Sequence, residues 1–369
     1  MLQKHLTVFL KTKLTQCGMG WLALLLSGCT SIGPFSLTHD RYNYNIATNY
    51  SINQQLLLNM VRLRYDENPL VLDVTSISGS VSVQKSASFA GSLIFPFPYI
   101  GSSISPNGSW SYSDNPIISY APLSDSTYTQ SYLVPMSLYD ISLLLSSGWS
   151  IPRVFRASCQ QIGNVYNAPS AARATSSHVP EYQDFINMTY VLRRMQLAEA
   201  IRVYYDKNPS AEELILLIDP KYKLSAKDKK ILDKAGVEIY QHKIIFSKDP
   251  APHRVLIVTR SVNGILHYLS KGLTEPPQDL KNQVLTATVY KDGSLFDWQK
   301  VVRGMMKIYY SDKKPPANAY VSIPFRGRWY YIADSDSDSK QTLMMVLNIH
   351  GLINTTPSTA DMPSLARVV

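Results

Sequence analysis

The chain has 369 residues, 45% of them apolar and 17% charged, with 36 Lys and Arg against 27 Asp and Glu for a formal charge of +9. That length can bury a sizeable core, and the composition excludes a disordered polymer, a collagen-like repeat and a multi-span membrane protein. Three cysteines are too few for a disulfide scaffold.

The chain opens on Lys4, His5, Lys11 and Lys13, followed by the apolar run from Trp21 to Leu26. A membrane-spanning helix needs about 20 apolar residues, so this shorter run reads as the core of a secretory signal peptide over residues 1–28. It ends in Leu26-Ser27-Gly28-Cys29, which resembles the lipobox of bacterial lipoproteins. In that motif small residues precede a cysteine that is acylated, with palmitate among its lipids, and becomes the mature N-terminus. The resemblance assigns lipidation to Cys29. The alternative is an ordinary secretory signal with a cysteine at its end. Processing removes three basic charges and Cys17, leaving +6 and Cys159 as the one remaining thiol besides the anchor. Thr30 rather than Asp follows Cys29, which on the lipoprotein pattern implies an outer-membrane, periplasmic-face address. The residual basic charge is dispersed, with no Lys/Arg cluster interleaved with aromatics, so nucleic acid is not expected as a partner.

Residues 29–38 form a lipidated tether, and an N-terminal domain is expected over 39–167. Asp40 is a candidate N-cap for a helix in which Ile46, Tyr50, Leu57, Val61 and Arg64 recur at helical spacing, stopped at Asn68-Pro69. A strand starts at Leu70–Val74. Residues 75–133 then differ from the rest of the chain, holding 17 serines but only three charges, Lys85, Asp114 and Asp125. Apolar residues alternate with serine from Ile77 to Phe97, a period of two that predicts a long strand. The alternation returns after residue 103, with Ile104, Trp110, Tyr112, Ile118 and Tyr120 on one face. Pro106-Asn107-Gly108 and Asn115-Pro116 divide this second half into two shorter strands or a bulged one. A serine-rich antiparallel hairpin results.

A helix over Met136–Ser146 follows, then one capped by Ser150 and running through Phe155, Cys159, Ile162 and Val165. Residues 168–180 are small and polar and read as a linker. The C-terminal domain, 181–353, starts with an amphipathic helix through Phe185, Met188, Leu192 and Met195. Strands are expected at Ile201–Tyr205, Leu214–Ile218, Val237–Phe246, Val255–Thr259 and Lys307–Tyr310. Helices are expected at Ala226–Ala235, Ser261–Leu269 and Ser339–Ile349. Arg326-Gly327-Arg328 turns a hairpin between Ala319–Pro324 and Trp329–Ile332, and residues 354–369 form a flexible tail. With no βαβ series and no fixed-period repeat, the fold class is α+β.

No phosphate loop, His-Glu-x-x-His, Cys-x-x-Cys or Gly-x-Ser-x-Gly motif is present, so no catalytic residue, metal or cofactor is assigned. Asp334, Asp336 and Asp338 alternate as in a calcium loop, but Ser339 and Met345 stand where such a loop needs Gly and Glu. The other reading is an acidic cap on the last helix, through Ser337 or Asp338. Cys159 lacks an adjacent base and sits on an apolar stripe, as a buried structural thiol would. Arg62, Arg64, Tyr65, Trp110 and Tyr112 are candidates for an interaction surface. For Arg62 and Arg64 the alternative is helix-end capping and pairing with Asp66, Glu67 or Asp73. The serine ribbon admits two readings. It is an ordinary sheet, or a hairpin that several copies contribute to a shared barrel, since membrane strands need only about 9–11 alternating residues.

The blocks Asp40–Tyr44, Leu57–Tyr65, Leu72–Ile77, Ser113–Leu123 and Arg326–Ile332 with Ser339-Lys340 resemble a family of uncharacterised proteobacterial lipoproteins. That resemblance implies location but no activity or catalytic residues. The sequence therefore points to an outer-membrane-anchored periplasmic lipoprotein acting as a structural or assembly component of a cell-envelope complex. It would bind the membrane through its lipid and associate with envelope proteins or its own copies. The alternatives are a periplasmic enzyme or glycan- or ligand-binding lipoprotein, and an oligomeric export-pore subunit donating a β-hairpin as the curli secretion lipoprotein does.

Overall fold

The computed structural model describes residues 32–70, 72–93, 102–122, 132–172, 179–208 and 211–355. The signal segment, Cys29 and residues 356–369 lie outside the described residues. The chain divides into two compact units, Met1–Tyr50 with Ser76–Ser119, and Ser51–Thr75 with Tyr120–Val369.

Helix α1 spans Ile32–Arg64, so Asp40 lies inside it rather than at its cap. Strands β1 (Leu72–Leu93) and β2 (Ser102–Pro122) pair in a two-stranded sheet. Only eight residues join them, a reach of about 28 Å against strands of about 70 Å, so the pairing is antiparallel. β2 is one strand through both proline sites rather than two shorter ones.

In the larger unit the second half of α1 buries Leu56, Leu57, Met60, Val61 and Leu63. The same stripe was expected to bury Ile46 and Tyr50, but both are exposed. Past Arg64, Asp66 takes a left-handed φ of 56° and the Glu67 N–H returns to the Arg62 carbonyl at 2.9 Å. The buried Asn59 side chain then grips the Leu70 carbonyl at 2.9 Å and its N–H at 3.0 Å. This clamp aims the chain from helix into strand.

Helix α2 (Leu138–Ser146) carries a capping box between Ser137 and Asp140, and α3 (Ile151–Ser158) is capped by Ser150. Contrary to expectation α3 does not continue to Val165. Cys159 takes extended backbone, φ −115° and ψ 137°, and opens β3 (Cys159–Ile162), which turns into β4 (Val165–Tyr166). The apolar spacing correctly marks Cys159, Ile162 and Val165 as buried, but a sheet buries them, not a helix face.

After α4 (Gln183–Leu197), which buries all four expected residues, come β5 (Ile201–Asn208), β6 (Ala211–Ile218), α5 (Ala226–Lys234), β7 (Lys243–Ser247) and β8 (Val255–Thr259). β7 starts later than expected because Gln241 and His242 take left-handed φ of 48° and 59° in a tight turn. The six-stranded sheet runs β4-β3-β8-β7-β6-β5, with β7–β8 its one parallel pair among the described strands. β3, which precedes residues 168–180, pairs with β8, which follows them, and described residues on both sides share one hydrophobic core. Ala168 and Ala171 are buried, and the Ala168 N–H bonds the Glu181 carbonyl at 2.7 Å.

Helix α6 (Val262–Ser270) is capped by Ser261 as expected. Short helices α7 (Pro277–Lys281) and α8 (Gln299–Val302) lead to β9 (Tyr309–Ser311). β10 (Ala319–Phe325) and β11 (Arg328–Ala333) form the expected hairpin, in sheet order β10-β11-β9. Arg326 and Gly327 both have positive φ, 50° and 77°, the two-residue turn that suits the twist of paired strands. Helix α9 (Ser337–Thr355) closes the unit and takes in residues 354 and 355 of the expected tail. The elements confirm an α+β fold.

Gly163 turns β3 into β4 with φ 53°, where an added Cβ would collide with the Ala235 carbonyl oxygen. Gly163→Ala therefore lowers stability by about 2 kcal/mol, read as a shift of the urea midpoint. Gly293 has positive φ but open space around it, and Gly293→Ala costs about half as much.

Candidate functional site

Arg64 and Tyr65, candidates for an interaction surface, are buried, Arg64 to 2% exposure. Arg64 pairs with Glu275 and donates to the Thr286 carbonyl at 3.2 Å. The Tyr65 hydroxyl donates to Asp279 Oδ2 at 2.5 Å and lies 2.5 Å from the Tyr330 hydroxyl. Since the Tyr65 hydroxyl hydrogen points to the carboxylate, Tyr330 donates to the Tyr65 oxygen. Asp279 Oδ1 accepts from Arg328 Nη1 at 2.8 Å, and Arg328 Nε reaches Asp312 at 2.7 Å. Burial, then the bond to Asp279, pushes the Tyr65 phenol above its ordinary range, and burial raises Tyr330 too. Both phenols therefore stay protonated donors, and the network locks the end of α1 onto α7 and β11. Arg62 is half-buried. Trp110 and Tyr112 lie on β2, and their side chains fall outside the described residues.

Lys271 follows α6 at 5% exposure, its Nζ 5.2 Å from the centre of the Trp298 ring. Burial, followed by the charge of Arg64, pushes its amine down to about 8 from 10.5. The folded chain thus loses this proton at lower pH than the unfolded chain. Stability rises from about pH 8 to 10.5, where only the unfolded state binds the proton. Lys271→Met is expected to flatten that rise and to stabilise the protein at pH 7 by about 2 kcal/mol. Chemical denaturation across pH 7–10 reads both effects.

The remaining candidates are held in place structurally. Cys159 is fully buried, and burial pushes its thiol up to about 12, which excludes a thiolate nucleophile at neutral pH. The aspartates at the start of α9 diverge instead of converging on a cation. Asp334 pairs with Lys340 at 2.9 Å and Asp338 with Arg153 at 2.8 Å. Asp336, rather than Ser337 or Asp338, caps the helix by accepting from the Ser339 N–H at 3.1 Å. No cluster of three metal-ligating side chains occurs among the described residues. His253 stacks on Tyr240 and bonds Glu238 at 2.8 Å.

One arrangement was not visible in the sequence. A cleft of about 700 Å³ opens between α3, α4 and α9, lined by Trp149, Arg153, Arg156, Tyr190, Arg193 and Asp338 among others. Arg153 is neutralised by Asp338. Arg156 spends Nη2 on the Val301 and Arg303 carbonyls at 2.9 and 2.8 Å, its Nε is buried without a partner, and Arg193 bonds the Gln196 amide oxygen at 2.6 Å. Neither has a carboxylate partner among the described residues, and the first turn of α3 holds no acidic residue. The cleft therefore carries net positive charge suited to an oxyanion.

In the smaller unit Tyr42, Ile46 and Tyr50 stand one turn apart on one face of α1, exposed by 66%, 50% and 41%. The row is an exposed apolar face rather than a core stripe. Comparison with family models, with curated proteins and with solved structures finds no match.

Proposed function

We propose that this chain is an outer-membrane-anchored periplasmic lipoprotein that serves as a structural or assembly component of a cell-envelope complex, with the β1–β2 hairpin as its association element. The observation that carries this reading is the hairpin itself. Its strands of 22 and 21 residues pair with no third strand among the described residues. An isolated two-stranded ribbon is marginal in water and its edges are templates for another strand. The exposed Tyr42, Ile46 and Tyr50 row adds apolar surface in the same unit. The lipobox ending at Cys29 supports the address, and no helix among the described residues is long and apolar enough to cross a membrane.

Two measurements test it on the full-length protein. Labelling with an alkyne palmitate analogue is expected to mark the wild type and not Cys29→Ser, with the label in the outer-membrane fraction. Purification in mild detergent is expected to yield an assembly. A monodisperse monomer without a co-purifying envelope protein overturns the proposal.

The arginine cleft favours a second reading, a ligand-binding lipoprotein that holds an anionic group. Inorganic phosphate and citrate, titrated at constant ionic strength, would then raise the melting temperature of the wild type but not of Arg193→Gln. Equal shifts in both proteins exclude the cleft.

A further inference from the structure

The hairpin has two outer edges, and they are not equivalent. In a strand, successive N–H groups point to opposite edges, so residues of one parity share an edge. β2 contains Pro106, Pro116 and Pro122, all at even positions, so all three missing N–H groups lie along the same edge. A proline facing β1 would remove a ladder bond, and prolines in sheets sit where their nitrogen faces away from the neighbouring strand. The proline-bearing edge of β2 is therefore its outer one. β1 spans 22 residues without a proline and with only Asp73 and Lys85 charged. Its outer edge keeps every donor, and of the devices that blunt strand edges β1 has no proline and, past Asp73 near its start, one charge, Lys85.

We infer that the hairpin associates through this open edge of β1 with the same edge of a second copy of the chain. The product is a four-stranded antiparallel sheet in the order β2-β1-β1-β2 about a twofold axis. Like edges meeting like edges is an isologous contact, and the proline edges at both ends stop growth, so assembly ends at two copies. A ring of hairpins would instead join β1 of each copy to β2 of the next, placing the proline edge in every seam. This inference rests on the reading of the hairpin as an association element and names its partner and geometry.

Single cysteines placed along β1 from Ser78 to Ala90, and at Ser105, Ser109 and Ser113 in β2, test it in the full-length lipoprotein in mild detergent. Cys159 is buried, which keeps its background low. The expected result is disulfide-linked dimers that peak at one β1 position and fall off on either side, with none from β2. Two proline variants at adjacent positions, Val83→Pro and Gln84→Pro, separate edge from fold. One of the pair removes an outward N–H and weakens the dimer by about tenfold to a hundredfold while the hairpin persists. The other strikes the internal ladder. Pro106→Thr with Pro116→Thr restores donors to the blunted edge and is expected to extend the dimer into larger assemblies. Cross-links between β1 and β2 of different copies overturn the inference in favour of a ring. Capture of a different envelope protein without β1 self-cross-links overturns it too, while leaving the broader assembly reading standing. A monomer with no partner overturns both.

Discussion

Arg260→Met lowers the unfolding free energy by about 4 kcal/mol, the scale seen when buried polar groups lose a charged partner. Arg260 is 2% exposed and its guanidinium lies 4.4 Å over the Tyr268 ring, without a carboxylate partner among the described residues. Its Nη1 donates to the carbonyls of Arg156, Ala157 and Cys159 at 3.0, 3.2 and 2.6 Å, and its Nη2 donates to that of Asn167. These oxygens include the last carbonyls of α3, which have no helical donor because the chain turns into β3. The cation also faces the negative end of the helix dipole. Burial pushes Arg260 down to about 10, so it is still charged at pH 7 and its donors remain available. Asn167 Nδ2 also serves the Arg156 and Cys159 carbonyls, which limits the loss at those two. Arg260→Lys keeps the charge but not the fork of donors, and should recover less than half the difference in a urea titration.

Asp279→Ala is the second large effect, a loss of about 3 kcal/mol. Asp279 is 8% exposed and accepts from Tyr65 and Arg328 through its two oxygens. Removing it strands a buried phenol pair and leaves Arg328 with only the exposed Asp312. Tyr65→Phe removes one partner and costs about 1 kcal/mol. In the double variant the losses are expected to be less than additive, because both disrupt one network. Additive losses would place the two residues in separate roles.

The contrast between these networks and the sequence reading has a physical basis. Caps at Ser150 and Ser261 were legible because a hydroxyl and the N–H three residues on are chemically and sequentially local. The apolar stripes of α4 and the second half of α1 were legible for the same reason. Arg64 falls on the stripe with Leu57 and Val61, a signal that it would be buried with a partner, yet Glu275 lies 211 residues away. Tyr65 meets Asp279 and Tyr330 across 214 and 265 residues, and no local pattern encodes such a meeting. The end of α3 was missed because Cys159, Ile162 and Val165 keep helical spacing. What breaks the helix there is a sheet partner and buried donors contributed by distant residues.

The hairpin leaves the larger unit at Thr75 and returns at Tyr120, so along the chain of that unit it is an insertion whose ends must be brought together. The entropy of closing a loop grows with the logarithm of its length, about 0.6 kcal/mol per doubling. A hairpin half as long or twice as long would thus alter the stability of the larger unit by less than a single buried methyl-group deletion. Its length, about 70 Å for each strand, is nearly independent of that unit's folding energetics. Lineages could shorten or lengthen it to suit the distance at which a neighbour must be met, without redesigning the core that carries it.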